Sequence, residues 1–91
     1  MRQRMITAAE LWAAIDKLAA HRHLSLTDLA ELAGLPKSAL TTENRFSETG
    51  ELSWPPLPAL LQIVGAAGVT LREFGLVVDD MQRQSEERRR A

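Results

Sequence analysis

Apolar positions recur at three- and four-residue spacing through most of the chain and break at a few marked points. Such spacing lays a buried stripe along a helix. Leu11, Ile15 and Leu18 form one stripe, in a helix predicted from about Ala8 to His21. A second helix covers about Leu26 to Ala33 and stops at Gly34. A third begins near Pro36, where proline is tolerated because a first-turn N–H has no helical partner, and runs to about Asn44. The stretch RFSETGELSWPP then reads as a loop, with Gly50 and Pro55-Pro56 as breakers. A fourth helix spans about Leu57 to Ala67, burying Leu57, Leu60, Leu61 and Val64, and Gly68 ends it. The fifth runs from Leu71 to about Val78 and buries Leu71, Phe74 and Val78. The polar tail DDMQRQSEERRRA either extends that helix in a dimer or stays disordered, and disorder is the expectation.

One start signal appears three times. Thr7-Ala8-Ala9-Glu10, Ser25-Leu26-Thr27-Asp28 and Thr70-Leu71-Arg72-Glu73 each set a hydroxyl at the N-cap and an acid three residues later. The first and third are full capping boxes; the second uses the shorter Asp. Ile6 with Leu11, Leu24 with Leu29, and Val69 with Phe74 are placed as hydrophobic staples.

The stretch LSLTDLAELAGLPKSALTTENR, Leu24 to Arg45, has the plan of a helix-turn-helix. Ala30 sits where two helices cross closely, and Gly34 sits where the chain leaves the first of them with positive φ. Leu29, Ala33, Leu35 and Leu40 fill the angle between them. In DNA-binding proteins built this way the second helix lies in the major groove.

Composition narrows the choices. The 91 residues make one domain with a single modest core. Leu and Ala supply most of the apolar content and only Trp12, Phe46, Trp54 and Phe74 are aromatic, which favours helices over strands. With no cysteine, disulfides and thiolate metal sites are excluded, and a cytoplasmic location is the simplest expectation. The start, MRQRMITAAE, has no apolar run before the first helix and does not read as a signal peptide. No segment approaches the roughly 20 apolar residues of a membrane span. The net charge of −1 counts against strong DNA affinity, since phosphate neutralisation supplies much of it. It predicts weak non-specific binding and a need for dimerisation.

These residues resemble the lambda-repressor-like (XRE-type) helix-turn-helix family over about Leu11 to Val78. LWAAIDKLAA, LSLTDLAELAGLPKSAL, a loop ending in SWPP, and LLQIVGAAGVTLREF follow the order seen in amino-terminal domains of phage-type self-cleaving repressors. The resemblance implies an all-α fold: a compact five-helix domain over residues 7–78, a flexible arm at 1–6 and the polar tail at 79–91. Two departures stand out. Glu43 occupies an apolar position near the end of the recognition helix, and SALTTEN has fewer basic and amide residues than related helices. The subgroup continues into a protease-like domain that these residues do not include, so self-cleavage is not carried over.

The resemblance implies that the start of the third helix faces base edges, through Lys37, Ser38, Thr41 and Thr42. Lysine donates to guanine O6 and N7, and the hydroxyls read donors or acceptors. Ser25 and Thr27 at the second helix's N-terminus, with Asn44 and Arg45, are the expected phosphate contacts. The alternative is that all are solvated polar residues. Arg2 and Arg4 form either a groove-entering arm or a disordered start, and the Arg88–Arg90 run is a solubilising end or a further phosphate contact. Trp54, beside Pro55-Pro56-Leu57-Pro58, is expected to be buried and to hold the loop down, in preference to a polyproline ligand. His21 and His23 lack a nearby third ligand and read as surface residues at a helix end. No nucleophile elbow or glycine-rich phosphate loop points to an enzyme, and no cofactor is implied.

The sequence thus predicts a transcription regulator, in the sense of a repressor, binding double-stranded DNA as a homodimer or cooperative oligomer. The expected dimer surface is the fifth helix with its tail, through Val77, Val78 and Met81. Two alternatives remain: an antitoxin-like autoregulator whose tail binds a protein partner, and a protein-interaction module without DNA affinity.

Overall fold

The computed structural model describes residues 5–90. Arg2 and Arg4 lie outside them, and with these the proposed groove-entering arm. Four α-helices form among the described residues: α1 (Ala8–His21), α2 (Leu26–Leu32), α3 (Leu57–Ala66) and α4 (Leu71–Arg90). One 3₁₀ turn, Thr42–Arg45, lies between α2 and α3. The all-α expectation holds, with four α-helices in place of the five expected.

Local chemistry explains where these helices begin. At α1, Glu10 N donates to Thr7 Oγ1 at 3.2 Å while Thr7 N donates to Glu10 Oε1 at 2.8 Å. At α4, Glu73 N donates to Thr70 Oγ1 at 3.1 Å and Thr70 N to Glu73 Oε1 at 2.9 Å. Each box satisfies two amides that a helix start leaves without partners. At α2 only the forward half forms, Asp28 N to Ser25 Oγ at 3.0 Å.

The first three helices end alike. Past α2, Leu35 N donates to Ala30 O at 2.9 Å and Gly34 N to Glu31 O at 3.0 Å, with Gly34 at φ +75°. Past α3, Val69 N and Gly68 N close the same pair of bonds, with Gly68 at φ +74°. Past α1 the left-handed residue is His23, at φ +56°, with Leu24 N bonded to Ala19 O at 2.9 Å. This termination reuses the last carbonyls and turns the chain sharply.

α4 packs chiefly along α1, and α2 against α3. The core they enclose includes Trp12, Ile15, Leu18, Leu29, Ala30, Leu40, Ile63, Val64, Phe74 and Val78. The chain bends by 105° between α3 and α4. No single helix among the described residues is long and apolar enough to cross a membrane.

Several burial expectations are corrected. α3 carries apolar residues on more than one face, so spacing does not choose its inner side; Ile63, Val64 and Ala67 go in, while Leu57 is 65% exposed and Leu61 50%. Leu71, in the first turn of α4, is also exposed. Trp54 is 57% exposed, and the buried tryptophan is Trp12. Trp12 Nε1 donates to Ser53 O at 2.7 Å, so it is this indole that fixes the loop. α4 does not stop near Val78 but continues to Arg90, because α1 supplies a surface for it. Val78 is buried and Val77 and Met81 pack on the core, so these three do not form the spare apolar stripe expected of a dimer surface. Farther along, Gln82 Nε2 donates to Met5 O at 3.0 Å and Lys17 pairs with Asp80 at 3.4 Å.

Candidate nucleic-acid interface

The segment after Gly34 departs most from expectation: residues 36–44 do not form an α-helix. Every backbone bond they make spans three residues: Ala39 N to Pro36 O at 2.9 Å, Thr41 N to Ser38 O at 3.3 Å, and Asn44 N to Thr41 O at 3.1 Å. Thr41 is extended, with ψ 151°, and divides the segment into a turn and the 3₁₀ helix.

Side chains take the carbonyls an α-helix would use. Ser38 O accepts from Thr41 Oγ1 at 2.9 Å and from Asn44 Nδ2 at 2.7 Å. Leu40 O accepts from Arg45 Nη2 at 2.9 Å and Nε at 3.2 Å. Threonine and asparagine compete in this way with helical bonding, and β-branching at Thr41 and Thr42 lowers helix propensity further.

Arg45 is the anchor. Its guanidinium lies 4.5 Å from the Trp12 ring centroid and makes a two-pronged pair with Asp16, at 2.6 Å and 3.1 Å. Its side chain is only 8% exposed. The expected phosphate contact at Arg45 is therefore corrected: its donors face Asp16 and Leu40 O. Sequence reading missed Asp16 and Trp12 as supports, because nothing in local spacing ties α1 to a residue 29 positions away.

The remaining candidates are exposed to different degrees. Lys37, Ser38 and Thr42 face solvent, whereas Thr41 is half-buried. Asn44 is exposed, but its amide is held by Ser38 O. Lys37 Nζ pairs with Glu31 at 3.2 Å, both side chains open to water. Such a pair contributes at most about 1 kcal/mol, so Lys37 can exchange Glu31 for another acceptor. Ser25 Oγ already accepts from Asp28 N, and Thr27 is half-buried. α2 has seven residues, and Asp28 in its first turn already supplies the negative charge that a helix N-terminus favours.

The surface is acidic. With Arg45 withdrawn, exposed Lys37 stands against exposed Asp28, Glu31 and Glu43. Behind the segment lies an apolar groove of about 420 Å³ lined by Trp12, Leu35, Ala39, Leu40, Trp54 and Ile63, among others. Trp54 stands at its rim, where the expectation of a buried residue had hidden it. Comparison with protein-family models, curated proteins and solved structures gives no match.

Proposed function

We propose that this protein is a sequence-specific DNA-binding regulator of transcription that acts as a repressor by occupying promoter DNA, and that it belongs to the lambda-repressor-like helix-turn-helix proteins it resembles. Residues 37–42 are the part offered to the major groove. The supporting observation is that the polar side of this segment is exposed while its other side is fixed from within by Arg45, Asp16 and Trp12. A reading surface needs that combination, because a base contact counts only if its donor is already held in place. Lys37, Ser38 and Thr42 are the direct contacts, and Thr41 and Asn44 shape the turn. Each good base contact contributes about 1–3 kcal/mol of discrimination. With Lys37 the exposed cation of the segment, a single copy binds weakly, and a homodimer or cooperative array supplies the affinity.

A second reading rests on the acidic surface. Asp28, Glu31 and Glu43 are exposed, Glu31 pairs with Lys37, and such a surface suits a basic protein partner at least as well as phosphate. The antitoxin-like alternative depended on a tail that orders only with a partner. With α4 helical to Arg90, that alternative is tested by whether a toxin-type partner binds residues 79–90.

Selection of bound fragments from genomic DNA with purified protein, repeated across a salt series, separates these readings. A discrete site whose affinity falls with salt supports the regulator, and absence of enrichment at low salt sinks it. Lys37→Ala with Thr42→Ala is expected to abolish operator binding and leave the fold intact, because both side chains are exposed. Unchanged affinity in that double variant moves recognition away from this segment.

A further inference from the structure

The outer face of α4 carries a glycine that nothing inside the chain explains. Gly75 lies in the helix interior, where glycine weakens a helix relative to alanine. A Cβ placed on it would meet no atom within 4 Å, so intramolecular packing does not require the small residue. Around it lies an open apolar groove of about 440 Å³ whose walls include Ile6, Leu11, Leu60, Leu71 and Leu76. Leu71 is 60% exposed, Leu76 61% and Ile6 45%.

Two charges flank this notch with opposite signs. Arg72 and Asp79 both line the groove, and neither has an ion-pair partner among the described residues. They are seven residues apart, roughly 10.5 Å along the axis, too far to pair directly with each other. They lie symmetrically about the point between Gly75 and Leu76.

We propose that α4 is the contact between two copies of this chain, crossing antiparallel at Gly75–Leu76 about a two-fold axis. In that arrangement Leu76 of each copy enters the notch over Gly75 of the other. Arg72 meets Asp79 twice, once on each side of the axis. A two-fold contact must be complementary to itself, and this face has an apolar knob, a matching hole and one charge of each sign in the required order. The net charge of −1 adds little repulsion between copies. The face differs from the one read in the sequence: Val77, Val78 and Met81 point to the core, and the free residues are Leu71, Arg72, Gly75, Leu76 and Asp79.

This contact supplies the dimer that the proposed regulator needs and rests on that reading for its purpose alone. It is tested without DNA, so failure here and failure of DNA binding are told apart. Sedimentation equilibrium of the full chain up to about 1 mM, the weak end of specific association, is expected to give a monomer–dimer equilibrium. Gly75→Leu is expected to weaken it at least ~10-fold by filling the notch while retaining helical circular dichroism, since leucine favours helix over glycine. Arg72→Asp and Asp79→Arg are each expected to weaken it by a similar factor, because each change is felt twice. The double variant restores pairing. A chain that stays monomeric throughout, or a dimer indifferent to all four variants, overturns the proposal.

Discussion

On one side of Gly34 the chain forms the helix its sequence predicts; on the other a segment of similar promise does not. Residues 26–32 have their own N-cap in Ser25 and their own termination in the Gly34 turn, and both act within a few positions. Residues 36–45 begin with a favourable proline and contain Ala39 and Leu40, yet they have no side-chain cap where the 3₁₀ turn begins. Their carbonyls are claimed by Thr41, Asn44 and Arg45. A helix that carries its own caps is settled locally. A segment without them takes the shape that its tertiary partners impose.

The largest test of this contrast is Arg45→Ala. It leaves Leu40 O without its two donors and Asp16 without its partner, and is expected to cost about 3 kcal/mol. Chemical denaturation measures the loss. Hydrogen exchange should then show amides 39–44 losing protection while those of Leu29 to Ala33 keep theirs relative to global stability. Equal loss in both segments would mean that Arg45 supports the whole domain and not the turn.

Gly34→Ala comes next, at about 1–2 kcal/mol. The added methyl meets nothing within 4 Å, so the cost is that of φ +75° in a residue with a Cβ. A calorimetric midpoint unchanged by this variant would show that α2 does not depend on its glycine end. Ser25→Ala is smaller, about 1 kcal/mol, since it removes a single bond to Asp28 N. It should be read as earlier exchange at the start of α2 with no change after Gly34.

The smallest effect is a pH dependence at the start of α4. The Thr70 backbone amide, and then its hydroxyl, hold the Glu73 carboxyl below its ordinary value of 4.5, with slight opposition from desolvation. A carboxyl with a lowered folded-state pKa stabilises the fold above its unfolded pKa. That contribution disappears as pH falls through the folded value. Melting midpoints measured from pH 6 down to about 3 should therefore drop less steeply in Glu73→Gln than in the parent. Superimposable slopes would show that the box adds nothing measurable.

Much of the architecture was legible because its signals are short-range. Three N-caps lie three residues from the acids or amides they serve, and Gly34 and Gly68 end their helices within the same turn. The candidate surface was legible only in part. Lys37, Ser38 and Thr42 are exposed as expected, whereas Arg45 turned inward to a carboxylate 29 positions earlier. Trp12 and Trp54 make the same point: both are large and apolar, and only the packing of α1 against the loop decided which indole was covered.

The amino-acid sequence by itself determined that this chain is helical and where most of its helices start and turn, since backbone capping is decided by neighbours within about four residues. Tertiary structure alone decided which face of α3 is inside, how far α4 runs, and that residues 36–45 are two tight turns drawn onto α1. Those outcomes depend on contacts between residues far apart in the chain, and periodicity carries no record of them.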